Sequence, residues 1–295
     1  MTQFFDEDTA MTSSNRRLAF GLILAAFMFV LAPAPGGAQA AGKPAGPGPN
    51  TAAYEPTVGQ AGKDVVWVPT PESLVDQMLR MAEITPDDYL VDLGSGDGRT
   101  VITAAQRGTR AHGVEFNPDM VKLSRRAAQD AGVADRATFT QGDIFEFDFS
   151  DATVVTLFLL PDLNLRLRPL LLDMKPGTRV ISNSFDMDDW EPDDFVEAAL
   201  ECKSYCRAYK WIVPAKAQGV WQLGGGAMLA LEQAYQKLGG HLTIDGTRHA
   251  ISDAALQGTR IAFTANGRQY TGEVTADRMA GTDSDGNAWN AVRKP

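Results

Sequence analysis

The run Asp92-Leu93-Gly94-Ser95-Gly96-Asp97-Gly98 constrains the fold of this chain more than any other segment. It follows a short apolar stretch, Tyr89-Leu90-Val91, with the character of a buried parallel strand. It precedes Arg99 to Arg107, whose composition suits a helix. Glycines on such a strand-to-helix turn let a ligand reach the backbone where side chains would stand in its way. The helix start beyond them offers free N–H groups. A nucleotide-like cofactor lying across the turn is the expectation.

The context sharpens this reading. Arg110 to Val114 forms a second expected strand and ends at Glu115, 21 residues after Gly94. That is close to the ~20-residue spacing at which a dinucleotide fold places a carboxylate on ribose hydroxyls. Asn117-Pro118 opens the next helix, and Phe139 to Ile144 brings a third strand end with an acid, Asp143. Strands are predicted near 88–93, 110–114, 137–140, 153–159 and 178–183, and helices over 98–107, 117–131 and 163–173. Their alternation predicts an α/β fold with a Rossmann-like parallel sheet covered on both faces. A nicotinamide-binding domain is the alternative, but its G-x-G-x-x-G spacing differs from the G-x-G-x-G here, which Asp92 precedes.

This series resembles the class I S-adenosylmethionine-dependent methyltransferases. The resemblance implies a seven-stranded sheet whose last strand is antiparallel, and S-adenosyl-L-methionine as cofactor. Asp92, Gly94, Ser95, Gly96 and Gly98 would face its methionine part, Glu115 its ribose, and Asp143 with Ile144 its adenine. Thr70, Asn117 and Leu160 complete the expected cofactor set. Val68-Pro69-Thr70-Pro71, the glycine loop, Glu115-x-Asn117-Pro118 and Trp190-x-Pro192-Asp193 occur together, as in the lysine N-methyltransferases related to the mitochondrial enzyme that modifies the c-ring protein of ATP synthase. This narrower resemblance spans residues 65–214 and implies methylation of a protein lysine. A small-molecule N- or O-methyltransferase, or an envelope binding module that keeps the fold without turnover, are the alternatives.

Methyl transfer needs little acid–base machinery, because a sulfonium already activates the methyl group. The acceptor must be held in line, desolvated and, if a lysine, neutral. Phe158, Leu159 and Phe185 are candidates for an apolar acceptor channel. Asp162 and Asn164, just after the fourth expected strand, are weak catalytic candidates; for Asp162 an N-cap of the helix from Leu163 is an equally good role. Thr70 would likewise cap the first helix, with Pro71 at its first position and Leu74, Val75, Met78, Leu79 and Ala82 along its apolar face.

The net charge of −10 gives the chain no general basic footprint for nucleic acid. His112, His241 and His249 are scattered, and two cysteines cannot build a zinc cluster with them. In an extended segment Cys202 and Cys206 would lie roughly 13 Å apart, too far for a disulfide, so they are expected as packing residues.

Four segments are expected in all. Residues 1–40 have the parts of a secretory signal peptide: Arg16-Arg17, the apolar stretch Leu18 to Leu31, and an Ala38-Gln39-Ala40 cleavage site, with Met11 a plausible start. This predicts an exported protein, periplasmic or tethered to the inner membrane. Residues 41–62 form a disordered linker rich in Pro, Gly and Ala, and 63–223 the methyltransferase domain, closed by a hairpin of 206–213 with 219–223. Residues 224–295 form a small antiparallel β module, marked by the turns Asp245-Gly246, Asn266-Gly267 and Asp285-Gly286, with 228–238 taken as strand.

Overall fold

In a computed structural model, residues 54–197 and 202–295 are described. The expected signal peptide and most of the expected linker lie outside them. The described residues form one compact unit.

Unbroken apolar runs become the centre of the first sheet. Its strands are β1 (Tyr89–Leu93), β2 (Arg110–Glu115), β3 (Ala137–Gln141), β4 (Val154–Leu157), β5 (Arg179–Asn183), β6 (Asp194–Glu197) and β7 (Arg207–Ile212). The spatial order is β3-β2-β1-β4-β5-β7-β6. The first five are mutually parallel, and β7 runs antiparallel to β5 and β6. Every position of β4 is buried, and so is every position of β1 but the first, as expected for strands covered on both faces. Helices α1 (Glu72–Met81), α2 (Arg99–Gln106), α3 (Pro118–Asp130) and α4 (Pro161–Leu172) supply the cover. The buried face of α1 is Leu74, Val75, Met78 and Leu79, continued by Ala82.

The rest of the chain is an antiparallel sheet of nine strands: β8 (Gly219–Leu223), β9 (Met228–Ala234), β10 (Lys237–Ile244), β11 (Thr247–Ala250), β12 (Ser252–Gln257), β13 (Arg260–Ala265), β14 (Arg268–Thr275), β15 (Arg278–Asp283) and β16 (Ala288–Arg293). Because β9 pairs with β10 as well as with β8, eight of these strands close into a ring, and β11 hangs on β10. Closure pairs strand edges that would otherwise be open. Trp221, Leu229, Leu231, Phe263, Val274 and Met279 belong to its core.

Four expectations are corrected. The segments 206–213 and 219–223 do not form a hairpin. β7 joins the first sheet, whereas β8 pairs with β9 and β16. Trp221 is fully buried in the barrel core, so the boundary between the two sheets falls within 213–218 rather than at 223. The β module is not a separate body: Tyr235 stacks on Trp190 at 5.9 Å, Gln236 Nε2 donates to the Glu191 carbonyl, and Ala215 N–H donates to the Gly258 carbonyl. Residues 54–62 of the expected disordered linker are ordered by a tight backbone return, with Gly59 N–H donating to Trp67 O and Trp67 N–H to Gln60 O.

Cys202 and Cys206 are joined in a disulfide, with Cα atoms 5.6 Å apart. The chain between them is bent rather than extended, and Tyr205 sits at φ 57°, which removes the distance that had excluded the bond.

Candidate active site

One cleft opens at the C-terminal ends of β1, β2, β3 and β4, where ligands lie in open α/β sheets. Of the residues singled out from the sequence, Thr70, Asp92, Gly94, Ser95, Gly96, Glu115, Asn117, Asp143, Ile144 and Leu160 line it.

The glycine loop is held from across the sheet. Glu115 accepts from the N–H of Gly96 at 3.0 Å and of Asn117 at 2.8 Å. These bonds fix the loop while the carboxylate keeps lone pairs free for a ligand. Gly96, at φ 53°, lies against Trp67: a Cβ there would meet Trp67 Nε1 at 2.6 Å. Gly98 does not line the cleft. At φ 82° it faces inward, where a Cβ would meet the Phe139 ring at 2.7 Å and Ser124 Cβ at 2.8 Å. Packing of protein on protein explains this glycine, rather than room for a ligand.

Asp92 is 7% exposed and accepts from Thr156 Oγ1 at 2.6 Å. Burial, and to a lesser degree the nearby carboxylates of Asp97 and Glu115, raise its pKa to about 7, against the Thr156 hydrogen bond. Asp97 is paired with Arg99 at 2.6 Å, and Arg99 also donates to the Thr70 carbonyl. Asp143, at the third strand end, is held below the usual carboxylate range by its hydrogen bond to Lys63.

Three roles differ from those expected. Thr70 does not cap α1, whose N-cap is Pro71; its hydroxyl accepts from Asn183 Nδ2 at 3.2 Å instead. Asp162 is not a cap either, since α4 begins earlier, with Pro161 as its first residue after Leu160; Asp162 is an exposed first-turn acid outside the cleft lining. Asn164 is fully buried beneath the cleft and donates to the carbonyls of Phe185 and Asp186 and to Ser182 Oγ. Neither Asp162 nor Asn164 is brought to the cleft surface.

Sequence reasoning missed a strap. Gln60 to Pro69 runs along the cleft and brings Lys63 and Trp67 to it. Phe116, Met120 and Tyr205 were missed as well. By its sequence Val65 to Val68 is no more than a short extended piece; the isolated aromatic inside it was the available signal.

The chain matches the model of the ANTKMT methyltransferase domain over residues 92–194. A protein-lysine N-methyltransferase of Saccharolobus islandicus (strain REY15A) is 43% identical over 136 residues, which cover 45% of this chain and 84% of that protein. The chain belongs to the protein-lysine N-methyltransferase family. The mouse lysine N-methyltransferase that is named for the c-ring protein of ATP synthase is 38% identical over 128 residues, 43% of this chain and 51% of that enzyme; the chain spans about half the length of that relative. Among solved structures, an RNA methyltransferase from Salinibacter ruber in complex with S-adenosyl-L-homocysteine is 49% identical, covers 50% of this chain and 95% of its own, and superposes with a TM-score of 0.47.

Membership of that family makes this an enzyme, a methyltransferase that uses S-adenosyl-L-methionine. The cleft fits that cofactor. Its glycine turn leaves backbone exposed, and Ser95 Oγ is buried without a hydrogen-bond partner. Asp92 would meet the cationic methionine end of such a ligand, and Glu115 its ribose hydroxyls. When bound, the cofactor supplies an electrophilic methyl group.

Proposed function

We propose that this enzyme N-methylates a lysine side chain of a protein. The match that covers 84% of the archaeal protein-lysine N-methyltransferase carries the reading. The cleft supports it. Phe158, Leu159 and Phe185 form apolar walls beside the glycine loop. Such walls desolvate an incoming lysine and favour its neutral, nucleophilic form. Glu115 and the loop fix the cofactor's position, the walls exclude water, and the acceptor nitrogen sheds its surplus proton to solvent.

We also propose that the catalytic domain is exported or membrane-tethered. The sequence of residues 1–40 supports this reading, and so does the Cys202–Cys206 disulfide, a bond that persists in oxidising compartments. Among the described residues, no helix is long and apolar enough to cross a membrane.

The full chain, given S-adenosylmethionine with a labelled methyl group, is incubated separately with a cell-envelope protein fraction and with total RNA. Label recovered on lysine and located by peptide mass spectrometry is the expected result. Label on RNA alone would refute the acceptor assignment. Fractionation of cells with a C-terminal tag tests the location, and a tagged protein confined to the cytosol would refute export.

A further inference from the structure

The cleft has an aromatic side that the cofactor-binding elements do not explain. Phe158 follows β4. Phe185 sits on the loop after β5, and its carbonyl is pinned by Ser182 Oγ at 2.6 Å and Asn164 Nδ2 at 3.2 Å. Tyr205 comes from the disulfide-closed loop before β7. The three rings touch: Phe158 to Tyr205 at 5.2 Å edge-on, Phe185 to Tyr205 at 6.2 Å, and Phe158 to Phe185 at 6.4 Å. All three line the cleft.

Tyr205 is the unusual member. A bulky side chain at φ 57° is a backbone outlier that the surrounding structure must impose. The residue remains 42% exposed, so burial is not what holds it there. The cystine between Cys202 and Cys206 closes the short loop that carries it.

Resting on the lysine reading, we propose that Phe158, Phe185 and Tyr205 form an aromatic wall for the acceptor's aliphatic stem and for the methylammonium head that methyl transfer leaves on it, with Tyr205 as the specificity-determining ring set in place by the Cys202–Cys206 loop. The wall offers π faces and contact for an aliphatic stem. Cations bind such faces electrostatically within about 6 Å of a ring centroid. Each methyl group added to the nitrogen weakens its hydration and improves its fit to the same surface. Asn164, outside the cleft, acts on this wall as a positioning residue through the Phe185 carbonyl.

The probes are N-acetyl-lysine amide, its trimethylated form, and the neutral tert-butyl isostere of the trimethylated form. Each is titrated by NMR into the full chain saturated with S-adenosylhomocysteine. The trimethylated cation should bind several-fold more tightly than its neutral isostere. Tyr205→Ala should weaken the cation by about 3- to 30-fold, a range that spans exposed to desolvated cation–π contacts. Tyr205→Phe should bind nearly as the unaltered protein does, and Cys202→Ser should follow Tyr205→Ala. Affinity for S-adenosylhomocysteine should stay unchanged in all three and so report an intact fold. Equal binding of cation and isostere by the unaltered protein would overturn the wall, whatever the variants do. Unaltered cation binding in Cys202→Ser would overturn the role of the loop. Labelled lysine in the envelope assay without cation preference would sink the wall and leave the lysine reading standing. Cation preference without any labelled lysine would do the reverse.

Discussion

Glu115 and Gly96 are joined by a 3.0 Å hydrogen bond from the Gly96 N–H to the Glu115 carboxylate, so the acid at the end of β2 shapes the glycine loop at the end of β1. The carboxylate expected to meet the cofactor's ribose is thus also a structural brace. The two duties are inseparable in a simple deletion.

Glu115→Ala should therefore lose more than one contact. Charge-assisted hydrogen bonds contribute about 1.5–3 kcal/mol each, so loss of even one to the cofactor should weaken S-adenosylmethionine binding on the order of 10- to 100-fold. Calorimetry on the folded variant measures this directly. Affinity equal to that of the unaltered chain would remove Glu115 from the cofactor site.

Gly98→Ala should destabilise the protein without any ligand present. The new Cβ would lie 2.7 Å from Phe139 and 2.8 Å from Ser124 Cβ, on a backbone at φ 82°. Overpacking and the left-handed conformation together cost about 2–4 kcal/mol. Denaturant unfolding should show the loss. A variant as stable as the parent would contradict this packing.

Asp92 imposes a pH dependence whose sign is fixed by its raised pKa. Between the ordinary carboxylate value of 3.8 and about 7, the folded state holds a proton that the unfolded state has released. Stability contributed by this site therefore falls as pH rises through that window and is level above it. Asp92→Asn removes the effect, so the variant's melting temperature relative to the parent should be higher at about pH 8 than at about pH 5. Thermal scans of both proteins without cofactor decide it; a constant difference would show that Asp92 does not titrate in this range.

A chain that ends at Leu223, the domain boundary expected from the sequence, should fail to fold. It would keep β8 but strip away both strands that pair with it, and it would bare Trp221 and the Trp190 face that Tyr235 covers. Two exposed indole surfaces and an unpaired strand favour aggregation. Soluble expression of this truncated chain with S-adenosylmethionine affinity would refute the prediction.

What the sequence determined by itself was whatever lies in local patterns. The buried strands around Leu90, Val155 and Ile181, the helix of Leu74 and Met78, and the carboxylates at strand ends were all legible. Apolar runs and the turn chemistry of Gly94 and Gly96 act over a few residues. The segment 228–238, taken as strand, is β9 turning at Tyr235-Gln236 into β10, because the β-rich neighbours on both sides gave it partners. The partition of 206–223 was not legible. Val220 and Tyr209 lie in equally plausible strands, and which sheet each strand joins depends on long-range pairing with β16 and β5. The disulfide hid for the same reason: its feasibility turned on a bend at Tyr205, which the segment's composition does not specify. Tertiary structure alone decided that Gly98 faces Phe139 instead of the cleft, that Asn164 supports Phe185, and that Lys63 reaches Asp143, because each relation joins residues distant in the chain whose meeting is set by packing of the whole sheet.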